Sequence, residues 1–158
     1  MNLRVVLFLI PGLIFGYRHF IEMTLSSDFK LQESGHIELD ISNIRNNKGV
    51  IRIGMYTSEK GYPNHPPISF LLVKDSLAAG KLRLFIPVKE PGSFAFSILD
   101  DENKNEKMDY RLRIIPKEGF GFSNNPKIRG MKEPSFDETS IKYNGGNKVV
   151  NIRIVYIF

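Results

Sequence analysis

Between Leu99 and Asn125 the chain reads LDDENKNEKMDYRLRIIPKEGFGFSNN, the densest run of oxygen-bearing side chains in its 158 residues. Asp101, Asn103, Asn105 and Asp109 stand at relative positions 1, 3, 5 and 9. That spacing lets one tight loop turn carboxylate and amide oxygens toward a common point, as a hard cation such as calcium requires. Lys107, at position 7, offers a backbone carbonyl while its ammonium points outward. Asp100, Glu102 and Glu118 are further carboxylates within reach. The full helix–loop–helix calcium pattern is not met. Its sixth position wants glycine for a sharp turn and here holds Glu106; its twelfth wants a bidentate glutamate and here holds Leu112. The expectation is a calcium-binding β-loop built on the first half of that pattern. The alternative is a loop rich in Asn and Asp because those residues favour turns.

Next to this loop lies the aromatic–glycine alternation Gly119-Phe120-Gly121-Phe122, followed by Ser123, Asn124 and Asn125. Phe120 and Phe122 can form a ligand platform or cap one end of the fold. Ser123, Asn124 and Asn125 offer hydrogen bonds to a turn or to a ligand. Glu118 joins them as a candidate at the same surface. No catalytic set assembles. There is no cysteine, which excludes a thiol nucleophile and a thiolate zinc site. His19, His36 and His65 are scattered, and no G-x-S-x-G elbow accompanies any serine. Asp101, Asp109 or Glu118 as acid and base of a carbohydrate-active hydrolase stands as an alternative. A ligand-free structural envelope protein is another. The expectation is a non-catalytic module.

What must position these residues is a β scaffold. His36–Ile44 alternates, with Ile37, Leu39 and Ile41 on one face and Glu38, Asp40 and Ser42 on the other. Val50–Thr57 follows a turn at Asn46-Asn47-Lys48-Gly49, so the two strands are expected to form a hairpin. Ser58–Pro67, with three prolines, reads as a long loop. Ile68–Val73, Lys81–Val88, Ser93–Leu99, Tyr110–Ile115, Ser140–Tyr143 and Lys148–Ile157 are further strand candidates, and no stretch sustains a helical period. About seven short strands between Gly, Pro and Asn turns predict an all-β fold, a single immunoglobulin-like or transthyretin-like β-sandwich.

The N-terminus has a different character. Met1–Gly16 carries Arg4 and then an apolar run from Val5 to Phe15, too short to span a bilayer and fitting an export signal or N-terminal anchor. Residues 17–34 read as a linker, and the domain is expected over 35–158. Without a cysteine to acylate, a lipoprotein is excluded. The expected location is exported: periplasmic, envelope-associated or secreted. The net charge of +5 is modest. It lacks the dense basic stripe of a nucleic-acid binder, which leaves an envelope component or a polysaccharide as the partner classes considered.

Pro91-Gly92-Ser93-Phe94-Ala95, DENKNEKMD over 101–109, PKEGFGFSNN over 116–125 and Pro134-Ser135-Phe136 together resemble the bacterial domain-of-unknown-function family 2141, over roughly residues 35–158. The resemblance implies a small exported protein with a β-sandwich-like domain and no established reaction. The family pattern has glycine where this chain has Glu106. A side chain there must accept a left-handed backbone or open the turn.

Overall fold

The computed structural model describes residues 35–128 and 132–157. The expected signal and linker segments, 1–16 and 17–34, lie outside the described residues. The rest is an all-β sandwich of two sheets.

The smaller sheet is built around β1 (Gly35–Ser42), flanked by β4 (Leu82–Val88), antiparallel, and by β10 (Asn147–Arg153), parallel. The larger sheet has the order β3 (Ile68–Val73), β2 (Val50–Tyr56), β5 (Gly92–Asp101), β8 (Gly119–Phe122). A short β9 (Ile141–Tyr143) pairs with the start of β5, on residues 92–94. Two-residue strands β6 (Tyr110–Arg111) and β7 (Ile115–Pro116) form a small separate hairpin. One helical turn, α1 (Phe136–Thr139), is capped by Ser135 and Glu138 in a reciprocal capping box.

The alternation read from the sequence sets the inner faces. Ile37, Leu39 and Ile41 of β1, Ile152 of β10, and Ile51, Ile53, Phe96 and Ile98 of the larger sheet meet in one core. Each fully buried aliphatic side chain there stabilises the fold by about 1.5–3 kcal/mol.

Two expectations need correction, and one strand is new. β1 and β2 are not a hairpin: β1 pairs with β10 and β4, whereas β2 pairs with β3 and β5. The Asn46–Gly49 turn therefore carries the chain from one sheet to the other. Gly49 makes this passage at φ +71, where a Cβ would strike the Asp101 carbonyl. The segment 110–115 is not one strand but most of a tight β6–β7 hairpin, turned by Leu112 and Arg113 in left-handed backbone. Finally, Gly119–Phe122 is a strand. Its glycines face inward, where a Cβ on Gly119 would lie 2.3 Å from the Tyr156 ring and one on Gly121 would lie 3.0 Å from Ile152.

After β10 the chain changes sheet. The Ile154 N–H still donates to Ser42 of the smaller sheet (2.9 Å), but Val155 exchanges backbone hydrogen bonds with Phe120 of β8 (2.8 and 3.1 Å). One flank of the sandwich is thereby stitched shut.

Candidate functional site

The acidic loop hangs between the end of β5 and the β6–β7 hairpin. Asp101, its first residue, is fully buried at the end of β5. One carboxylate oxygen accepts the Asn105 N–H (3.0 Å); the other accepts the Glu106 N–H (3.0 Å) and Arg52 Nε (2.6 Å). Burial pushes this carboxyl up, but Arg52 and the two N–H groups outweigh it and hold it below its usual value. Arg52 thus supplies a positive charge to Asp101 from within the chain. Glu102 is held low by Arg45 (2.6 Å), against its own burial.

The other proposed ligands draw together further out. Asn103 donates to Asp109 (2.6 Å), and Asn105 donates to both Asp109 oxygens (3.1 Å each). The side-chain carbonyls of Asn103 and Asn105 accept the N–H groups of Asn105 and Lys107. Glu106 takes the left-handed backbone, φ +71, that glycine would supply at its position. Lys107 is exposed. Among the described residues no group of three or more His, Asp or Glu side chains is arranged to hold a metal. A cation here would rest on Asp109 and displace the amide NH₂ groups that now donate to it.

Glu118 closes the loop from beneath. It is buried, and its two oxygens accept the N–H groups of Glu102 (3.1 Å) and Asp109 (3.2 Å). Burial raises its carboxyl above the usual range despite these two bonds.

The Ser123-Asn124-Asn125 run is committed to the fold. β8 ends at Phe122 and β9 starts its pairing at Phe94, which leaves Phe96 of β5 between them. Ser123 fills that gap: its hydroxyl accepts the Phe96 N–H (2.9 Å) and donates to the Thr139 carbonyl (2.6 Å). Asn124 donates to the Ser140 carbonyl (2.8 Å). Asn125 accepts the Arg153 N–H and donates to the Asn151 carbonyl (2.7 Å each), continuing the edge of β10 with its own amide. Of the two roles left open for these residues, the turn is the one the structure displays.

Phe120 and Phe122 have a different setting. With the glycines inward, both rings stand on the outer face of the larger sheet, 6.1 Å apart. The register places them in two adjacent cross-strand rows, Leu71–Arg52–Leu99–Phe120 and Ser69–Gly54–Ser97–Phe122. These rows floor a cleft of about 910 Å³. Met108, Tyr110 and Ile115 line it from the acidic loop and hairpin, Pro63 and Pro134 from two other loops. Asn64 joins those two loops by donating to Glu133 (3.2 Å). Gly54 keeps the floor low, since a Cβ would lie 2.9 Å from Ser97 Oγ and the Tyr56 ring. Pockets of this size and apolar lining suit a drug-sized ligand.

Arg52, Leu71, Leu99 and Met108 were not singled out from the sequence. The available signal was Arg52, the only charge in the run VIRIGMY.

The sequence model of a family described as an uncharacterized protein conserved in bacteria (DUF2141) matches residues 39–151. No curated protein and no solved structure matches the chain.

Proposed function

The chain belongs to the DUF2141 family of bacterial proteins, and from that premise we propose that it is an exported, non-catalytic binding module whose site is the cleft on the outer face of the larger sheet. The ligand class is a molecule with an apolar body and a polar end. The cleft itself carries this reading: about 910 Å³, floored by Phe120, Phe122, Leu71 and Leu99, with Arg52, Lys107 and Lys132 among its polar lining. The carboxylates that a hydrolase would need support the non-catalytic side. Asp101 is held by Arg52 and two backbone N–H groups, and Glu118 by two more.

The test is titration of the domain with an environment-sensitive anionic naphthalene dye, followed by displacement with medium-chain fatty acids and, separately, with oligosaccharides. Saturable dye binding that fatty acids displace, and that Phe122→Ala weakens at least tenfold in a folded variant, is the expected result. No saturable binding, or binding indifferent to Phe122→Ala and Leu99→Ser, would overturn the cleft as the site.

Calcium in the acidic loop is a second, separable reading. Asn103 and Asn105 gather around Asp109 with their NH₂ groups on its carboxylate, so calcium would take the place of those donors. Lys107 contributes only a carbonyl to it, and Asp101 stays with Arg52.

A further inference from the structure

Lys74 follows β3 directly and opens a single 3-10 turn, Lys74–Ser76. In sequence it looks like an ordinary surface lysine after an apolar strand. In the fold it is buried, and its Nζ contacts Asp100 Oδ1, with the two side chains 1% and 0% exposed. The other carboxylate oxygen, Oδ2, accepts the Tyr156 hydroxyl at 2.5 Å. Tyr156 in turn accepts the Arg45 N–H (3.1 Å), under the Arg45 guanidinium 4.5 Å from its ring. Beyond their mutual ion pair, neither Lys74 Nζ nor Asp100 Oδ1 makes a further hydrogen bond among the described residues.

This is a poor environment for an ion pair. An ammonium has three donors, and a carboxylate oxygen can accept more than one bond. Here the two groups face each other, almost fully shielded from solvent. Each buried ion carries a large desolvation cost, which mutual attraction offsets only when the remaining donors and acceptors are satisfied. Condensing the pair removes both charges at once. The resulting amide keeps one N–H, and its carbonyl keeps the bond from Tyr156.

We propose that Lys74 and Asp100 are joined by an intramolecular isopeptide bond. A proton passes from the ammonium to the carboxylate within the contact, leaving a neutral amine beside a carboxylic acid. Nζ attacks Cγ. The Tyr156 hydroxyl, on Oδ2, donates to the oxygen where negative charge gathers, as an oxyanion-hole donor does. The Cγ–Oδ1 bond breaks, and Oδ1 leaves as water with the acid proton and one from nitrogen. One ammonium and one carboxylate give one secondary amide and one water; no oxidant, reductant or co-substrate is needed. In bulk water the solvated ions oppose this condensation. Burial penalises the charged side and favours the neutral product. The bond ties the segment after β3, an edge strand of the larger sheet, to β5, two strands away.

The decisive experiment is mass spectrometry of the purified full chain, denatured, followed by tryptic mapping with fragmentation. The expected result is a mass one water (about 18 Da) below that calculated from the sequence of the purified polypeptide. No cleavage follows Lys74, and a branched peptide joins the Lys74 segment to the Asp100 segment. Lys74→Arg and Asp100→Ala each restore the unmodified mass. An unmodified wild-type mass, free cleavage after Lys74, or a water loss located elsewhere would each overturn the proposal. The wild-type measurement decides without any variant having to fold.

Discussion

Replacing Asp101 with asparagine keeps the shape of the side chain and removes its charge. The carboxylate accepts three hydrogen bonds, from Arg52 Nε, Asn105 N and Glu106 N. An amide has one oxygen. If that oxygen stays with Arg52 and Glu106, the new NH₂ faces the Asn105 N–H, donor against donor. Leaving a buried donor without an acceptor costs about 1–3 kcal/mol, and weakening a charge-assisted bond to a neutral one costs about 1 more. Arg52 is not stranded, because it is partly exposed and keeps Glu106 at 3.2 Å. The loss therefore stays at the lower end of the roughly 3–5 kcal/mol typical of a broken buried pair. The expected destabilisation by Asp101→Asn is about 2–4 kcal/mol, a fall in melting temperature of about 10 °C for a domain of this size. The pH dependence has a definite sign. Asp101 titrates below its ordinary value of 3.8 in the folded state. Its charge therefore stabilises the fold above that value, and the contribution is lost as pH falls through the folded pKa. Urea denaturation of both proteins at pH 7 and at about pH 2.5 measures this. The gap between them should narrow in acid, and an Arg52→Gln background should narrow it at pH 7 as well. A gap below about 0.5 kcal/mol at pH 7, or one unchanged in acid, would refute the assigned role of Arg52.

Two further outcomes test the acidic loop. Glu106→Gly removes a side chain from left-handed backbone, a relief of about 1–2 kcal/mol, and loses an exposed ion pair worth at most about 1. A net gain of about 0.5 kcal/mol by denaturant titration is expected, and a loss above about 1 would show that the Arg52 contact matters more than the strain. If calcium binds the outer loop with a Kd of about 1 mM, then 10 mM calcium adds about 1.4 kcal/mol of stability. A rise in melting temperature of about 5 °C, absent with magnesium and in Asp109→Asn, is the expected reading. No rise would remove calcium from the account.

The inner faces were legible wherever apolar residues alternated without interruption, as in Ile37-Leu39-Ile41 and Phe94-Phe96-Ile98. Partner choice was not. Nothing local distinguishes a turn that folds a strand back on its neighbour from one that crosses between sheets, so Asn46–Gly49 read as a hairpin. β8 was missed as a strand because the residues facing the core are glycines. The period of two was present, but with the aromatic residues on the outer side. The acidic loop was legible as a constellation, and its Arg52 counter-charge was not, since the two are 49 residues apart. The cleft draws on separated segments of the chain, and no single stretch of sequence announces it. Lys74 was invisible for the same reason: only the tertiary fold makes it a buried group.

The parallel pairing of β1 with β10 has a kinetic corollary. The first strand of the described domain can meet β4 once residues 82–88 have emerged, but it gains its parallel neighbour only when the last strand arrives, some 110 residues later. A nascent chain emerging from its N-terminal end can pair β2 with β3, but it must leave β1 without its parallel neighbour until residues 147–153 are free. Contacts of that sequence separation are slow to form. Vectorial delivery therefore hands over an unfinished domain, and completion waits on release of the final strand.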